Sequence, residues 1–228
     1  MISGIYTSVD ALLMHQSRFN TTSNNIANIN TTAFKKDHIS FNQALSMENI
    51  SITDFSPGPM KYTGNKLDAA IGTQGFYKIQ TPVGIEYTRD GTFSINSDGF
   101  LATKNGGLVL GENGPIKVGE ADVIIGDNGI LKAGNQTVDT LAVVDFKNRY
   151  LLKKAGESYY KYEGDAQDLF IPENIRIQQG YIEGSNVNPT EEMIKMIETM
   201  RLFEATQKAI QSMGEATDKM INDVAVIQ

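Results

Sequence analysis

The sequence predicts an α+β chain, with N- and C-terminal helices pairing as an α-helical coiled-coil domain around a central antiparallel all-β domain. Three observations carry this reading. Of 21 glycines, 18 fall between residues 60 and 190, so the two ends are nearly free of a residue that weakens helices. Both ends place apolar residues at alternating spacings of three and four. The middle is punctuated by Asn-Gly and Asp-Gly pairs, which supply the positive φ values of tight hairpins.

At the N-terminus, Ile2, Ile5, Val9, Leu12, Gln16, Phe19, Ser23 and Ile26 fall on one helix face, and six of these eight are apolar. At the C-terminus, Met196, Phe203, Ile210, Thr217 and Val224 form one row of a heptad. Met193, Met200, Gln207, Gly214, Ile221 and Gln228 form the other. The start of this helix is marked by Asn188 as cap, Pro189 at the first helical position and Glu191 at the third. From Pro189 to Ile227 the helix would run roughly 58 Å, longer than a small domain is wide, and such helices pack along other helices or into fibres.

Between the ends, strands are predicted at Phe76–Gln80, Ile85–Thr88, Thr92–Ile95, Leu108–Leu110, Ile116–Val118, Asp122–Ile125 and Leu141–Phe146. Hairpin turns are predicted at Asp90-Gly91, Ser97-Asp98-Gly99, Asn105-Gly106-Gly107, Asn113-Gly114 and Asp127-Asn128-Gly129. The domain boundaries read as 1–30 with 186–228 for the helical domain and 31–63 for an extended connector. The β domain then covers 64–172, and 173–185 is the return segment.

Composition narrows the function. The 228 residues carry 20 Lys and Arg against 27 Asp and Glu, a net charge of −7, which argues against a nucleic-acid partner. Cys is absent, which removes disulfides, thiol nucleophiles and cysteine metal sites. The two histidines, His15 and His38, have no metal-ligand spacing, so no metal or cofactor is expected and no catalytic residue is assigned. Asn96-Ser97-Asp98-Gly99 is only a partial likeness of a calcium loop and reads as a turn. No apolar run approaches the roughly 20 residues of a membrane span. A cleavable signal peptide is also not expected, because the first cation is Arg18.

Two polar segments stand out, Thr21–Lys35 (TTSNNIANINTTAFK) and Gly180–Pro189 (GYIEGSNVNP). The first resembles the N-terminal signature of bacterial flagellar axial proteins, the rod and hook family, A-N-N-(I/L)-A-N-x-N-T-x-G-(F/Y)-K. The second, continuing through PTEEMIKMIETMRLFEATQKAIQ, is similar to that family's C-terminal signature. The stretch from Leu67 to Val118 is similar to its centre. One departure is Ala33, where the family usually has Gly; a positive φ there would strain Ala.

The resemblance implies a non-enzymatic structural subunit of the basal-body rod, closest to the proximal and distal rod proteins. The short stretch 36–63 favours the proximal one. It further implies self-assembly into a hollow axial tube that transmits motor torque, with other rod and hook subunits as partners. Export through the flagellar type III apparatus without a cleaved signal would place the chain in the periplasmic part of the basal body. Subunit assembly would fall on Ile2, Ile5, Val9, Leu12 and Phe19, and on the polar residues Asn24, Asn25, Asn28, Asn30, Thr31 and Thr32 with Phe34 and Lys35. From the second signature it would involve Gly180, Tyr181, Gly184 and Ser185. Asn186, Asn188 and Pro189 would fix how the second helix leaves the β domain, and Met193, Met196, Met200, Phe203 and Ile210 would form its apolar seam. The rival readings are a β-domain binding module with dimerising helices and a carboxylate enzyme acting on peptidoglycan.

Overall fold

The structure, a computed structural model, describes residues 2–39, 51–119, 122–134 and 136–225; the side chains of Ile2, Ser3 and Ile5 and those beyond Lys219 are not among the described parts. The chain divides into two compact units. One comprises residues 1–28, 36–54 and 187–228, the other residues 29–35 and 55–186.

In the first unit, α1 (Ile2–Ala27) and α2 (Pro189–Ala225) are joined by a small hairpin of β1 (Asp37–Ile39) and β2 (Ser51–Thr53). α2 starts as its sequence reads: the Asn188 side-chain oxygen accepts from the Thr190 amide at 3.1 Å, and the helix opens at Pro189. The two helices run antiparallel. Gly4 lies against the Met213 sulfur, and Asn25 hydrogen-bonds Glu192 at 3.0 Å.

The expected fold class is corrected here. Among the described residues there are two α-helices and otherwise mainly strands, and no terminal coiled-coil pair forms. A coiled coil buries an apolar seam. Among the described side chains of α1 the buried ones are instead His15, Thr22 and Asn25, all polar. Among the described side chains of α2 the buried ones are Glu192 and Thr199. The anticipated seam residues Val9, Met193 and Met200 are exposed, while Leu12, Phe19, Met196, Phe203 and Ile210 are half-buried. Ile2 and Ile5 have side chains outside the described parts.

The second unit is the expected all-β region. Its strands are β3 (Met60–Tyr62), β4 (Ala69–Ile71), β5 (Phe76–Thr81), β6 (Gly84–Thr88), β7 (Phe93–Ile95), β8 (Leu101–Thr103), β9 (Leu108–Gly111) and β10 (Gly114–Pro115). There follow β11 (Val123–Ile125), β12 (Ile130–Ala133), β13 (Gln136–Thr140), β14 (Val143–Phe146), β15 (Leu152–Gly156), β16 (Tyr159–Tyr162), β17 (Leu169–Phe170), β18 (Ile177–Gln179) and β19 (Tyr181–Glu183).

The main sheet is antiparallel, in the order β15-β16-β6-β5-β9-β8-β7, with β14 also pairing β5. Successive residues of β5 point to opposite faces. Tyr77 and Ile79 enter a core with Ile71, Leu101, Val109, Ile116 and Leu131. Phe76 enters a second cluster with Tyr87, Phe146, Leu152 and Tyr160, whose rings meet edge to face.

Four of the five expected turns close hairpins, with Gly99, Gly106, Gly114 and Gly129 at positive φ. Asp90-Gly91 does not. Gly91 is required for another reason, since a Cβ there would lie 1.6 Å from the Ala69 carbonyl oxygen. The strand expected at Ile116–Val118 is replaced by β10 just before it, although Ile116 and Val118 are buried in the core as the alternation implied.

Candidate functional site

The two signature segments meet within the β unit. The chain enters it at Ile29, and Ala33 donates its amide to the Glu183 carbonyl at 2.8 Å. Ala33 is fully buried and sits at φ 56°, the left-handed conformation in which Gly would be unstrained. That turn delivers Phe34 and Lys35 into the interior.

The Lys35 ammonium is completely buried. It donates to Glu183 Oε1 at 2.6 Å and to the Ser56 carbonyl at 2.6 Å. Glu183 Oε2 accepts from Arg89 Nε at 2.6 Å, and Oε1 also accepts the Gly58 amide at 2.7 Å. The Arg89 guanidinium continues to the carbonyls of Gly75, Ile71 and Thr73 at 2.8, 3.1 and 3.0 Å. Directly and through Arg89, one carboxylate thus joins five stretches of chain: the first signature, the Pro57-Gly58-Pro59 segment, Arg89 just after β6, the loop after β4 and the second signature. Buried charges are tolerated only when paired and hydrogen-bonded, and this cluster meets that condition.

Pro57-Gly58-Pro59 therefore has a defined task. A Cβ on Gly58 would lie 2.1 Å from the Gly184 carbonyl oxygen, so only glycine lets that amide reach Glu183. Gly184 in turn donates its amide to the Pro59 carbonyl at 2.8 Å. The outer wall is closed by Lys154, whose ammonium bonds the Lys35 carbonyl at 2.6 Å and lies 4.3 Å from the centre of the Phe34 ring. Ser158 donates to the Thr32 carbonyl at 3.2 Å.

A second polar junction lies in the helical unit. Asn25 is buried. It accepts the Asp37 amide at 3.0 Å, donates to the Asp37 carbonyl at 2.8 Å and donates to Glu192 at 3.0 Å. Glu192 also receives Lys195 at 2.6 Å. Asn25 thereby clamps α1, β1 and α2 through a single side chain.

The remaining residues anticipated for assembly divide by exposure. Asn24, Asn30, Thr31, Asn188 and Pro189 are exposed. Asn28 and Thr32 are half-buried, as is Tyr181, whose ring lies 5.1 Å from that of Tyr62. Gly180 takes a positive φ of 79°. Ser185 is buried, and Asn186 donates to the Ser56 carbonyl at 3.1 Å. Sequence reasoning missed Glu183, Arg89 and Gly58, and read Glu192 with Glu191 only as acidic residues favoured at a helix start. The available signal was Glu183 itself, a charge set between Ile182 and Gly184 inside a segment otherwise singled out residue by residue.

Among the described residues, no group of His, Asp and Glu is arranged to hold a metal, and no helix is long and apolar enough to cross a membrane. Burial and the Arg18 charge lower the His15 pKa, and burial raises that of Asp90.

Three family models match, in chain order. Residues 5–35 match the flagella basal body rod protein model, and residues 70–133 the D1 domain of the flagellar hook protein FlgE/F/G. Residues 178–223 match the C-terminal model of the flagellar basal body rod FlgEFG proteins. The flagellar basal-body rod protein FlgG of Buchnera aphidicola from Schizaphis graminum is 30% identical over 257 positions, covering 96% of this chain and 99% of that one. The FlgF protein of the same organism is 31% identical over 239 positions, covering 96% of each chain. The FlgF protein of Caulobacter vibrioides is 28% identical over 245 positions, with both chains covered completely.

Proposed function

Because the chain belongs to the flagellar basal-body rod protein family, we propose how it serves as a structural subunit of the bacterial flagellar rod. The family is structural rather than enzymatic, and its members assemble with other rod and hook subunits. In our reading, the subunits stack helically into a hollow axial tube and transmit motor torque. They reach the periplasmic part of the basal body through the type III export apparatus without a cleaved signal.

The observation that carries this reading is the position of the charged cluster. It lies inside the β unit where the two family signatures meet, and Lys35, Glu183 and Arg89 fix those signatures to one another there. A subunit that transmits torque needs a stiff β unit. Apolar residues of both helices, among them Val9, Met193 and Met200, remain exposed in the single subunit and are available to neighbours. The polar signature residues Asn24, Asn30 and Thr31 are also exposed and would carry hydrogen bonds between subunits.

We favour the proximal position, that of FlgF. The match to the Caulobacter FlgF protein spans both chains completely, whereas the FlgG match needs a longer alignment for slightly less of this chain.

The test is genetic and biochemical together. Deletion of the gene should abolish swimming and leave basal bodies without a complete rod, and the full-length chain should restore both. Met200→Asp should block incorporation while leaving the β unit folded. Normal motility of the deletion strain would overturn the reading.

A further inference from the structure

Independently of the rod reading, we propose that Asn105-Gly106, at the tip of the hairpin between β8 and β9, is the modification site at which this chain deamidates spontaneously, and that the product loosens the β unit. Asparagine is among the thermolabile residues. In the reaction the Gly106 backbone nitrogen attacks the side-chain carbonyl carbon of Asn105. A carbon–nitrogen bond forms and closes a cyclic imide. The bond to the side-chain nitrogen breaks, and that nitrogen leaves as ammonia, taking up through solvent the proton that Gly106 loses. Water then opens the imide to aspartate or to isoaspartate. The attack needs a following residue with no side chain in the way, a side-chain carbonyl free to swing onto the main chain, and a main-chain amide that solvent can reach.

Three asparagines precede glycine, Asn105, Asn113 and Asn128, so sequence alone ranks them equally. The structure does not. Asn113 is held at both ends by the buried Asp139: its main-chain amide donates to Oδ2 at 3.2 Å and its side-chain amide to Oδ1 at 3.0 Å. Gly114 is paired with Gly111 in the β9–β10 ladder. The Asn128 side-chain oxygen accepts the Ile130 amide at 3.3 Å, and Gly129 is buried, with its carbonyl accepting the Leu141 amide at 2.9 Å. Among the described residues, Asn105 has neither kind of tether. Asn105 and Gly106 are both exposed, and a Cβ on Gly106 would meet nothing within 4 Å. The Gly106 amide donates to the Thr103 carbonyl at 3.0 Å, much as Gly129 donates to Gly126 at 2.8 Å, so that bond slows both sites and does not rank them.

The product falls on a tightly built corner. Thr103 donates its amide to the Gly107 carbonyl at 2.9 Å, and its hydroxyl accepts the Gly107 amide at 3.1 Å and meets the Tyr159 hydroxyl at 2.5 Å. Gly107 has no room to shift inward, since a Cβ there would lie 2.6 Å from Ile79 Cγ2 and 3.2 Å from the Tyr159 hydroxyl. Isoaspartate lengthens the main chain by one methylene between Thr103 and Gly107, which this corner cannot absorb without losing those bonds. Aspartate leaves the main chain intact but changes the charge. Burial is the main cause that raises the Tyr159 pKa; Thr103 counters it, Glu157 and Asp90 add to it, and Asn105 counters it. Deamidation turns the Asn105 group from a neutral donor into a third anion near that hydroxyl.

The test ages purified full-length chain at pH 8.5, once folded and once in urea, and follows each Asn-Gly site by peptide mass spectrometry with the fresh chain as background. Trypsin leaves Asn105 and Asn113 in one peptide, between Lys104 and Lys117, so fragment-ion masses assign the position. In the folded chain, conversion at Asn105 should run at least tenfold faster than at Asn113 or Asn128. In urea the three rates should converge to within threefold, because the tethers are gone. Equal rates in the folded chain, or a faster rate at Asn113 or Asn128, would overturn the assignment. Aged chain should also melt at a lower temperature than fresh chain by tyrosine circular dichroism, and an Asn105→Ser chain aged alongside should keep its original melting temperature. Wild-type chain fully converted at Asn105 but melting as it did when fresh would overturn the claim that the modification loosens the β unit.

Discussion

Replacing Glu183 by Gln keeps the shape of the side chain and removes its charge. In the native structure that carboxylate accepts Lys35, Arg89 and the Gly58 amide, all within 2.7 Å, with both Lys35 and Glu183 completely buried. In Glu183→Gln the two cations keep their positions but lose the anion between them. Breaking a buried ion pair by removing one partner costs about 3–5 kcal/mol. Domains are stable by only about 5–15 kcal/mol, so the loss is a large fraction of the total. At roughly 2–4 °C per kcal/mol, the melting temperature of the β unit should fall by about 6–20 °C. The assay is near-ultraviolet circular dichroism of the full chain, which has nine tyrosines and no tryptophan; Tyr77 and Tyr160 are both buried in the β unit. Lys35→Met alone should also destabilise. The double variant should lose less than the sum, because the two residues share one interaction. A shift below about 2 °C for Glu183→Gln, or strict additivity of the two substitutions, would refute the view that this cluster holds the signatures together.

Three further outcomes follow from the geometry. His15 is buried and its pKa is lowered below 6.5, first by burial and then by Arg18. The unfolded chain therefore binds the proton more readily, so the helical unit should lose stability as pH falls through 6.5, with the loss levelling off below the folded-state pKa. Helix melting at pH 7.5 and 5.5 in wild type and His15→Gln checks this, the variant being less pH-sensitive. Ala33→Val puts a β-branched residue at φ 56° in a closed site and should cost about 2–6 kcal/mol from strain and overpacking, whereas Ala33→Gly should change stability by less than about 1 kcal/mol. Urea unfolding of the two variants distinguishes these effects. Gly91→Ala should prevent the β unit from folding, since its methyl would overlap the Ala69 carbonyl; a native-like tyrosine dichroism signal in that variant would contradict the packing described.

Much of the β unit was legible because its hairpins need glycine at positive φ, and Gly99, Gly106, Gly114 and Gly129 stand where the turns form. β4 was not legible. Ala69–Ile71 is buried throughout and shows no alternation, so no period of two marks it. β15 was missed for the opposite reason: Lys153 to Gly156 are exposed, and the pattern reads as loop.

The helices were legible as helices but misread by face. Apolar periodicity is ordinarily a sign of what a helix buries, yet here Val9, Met193 and Met200 face outward while Thr22, Asn25, Glu192 and Thr199 are buried. A sequence records which residues are apolar and not which surface is covered in one subunit. The charged cluster was hidden for a related reason. Lys35 and Glu183 are 148 residues apart, and a lone charge in a sequence is normally a solvated one.

The most direct test of the central claim is a side-chain-resolution cryo-electron microscopy map of basal bodies isolated from cells expressing this chain. The rod should contain this chain as a helically repeated tier, with the Lys35–Glu183–Arg89 cluster closed inside each β unit. A complete rod in which no tier fits this chain would contradict the assignment.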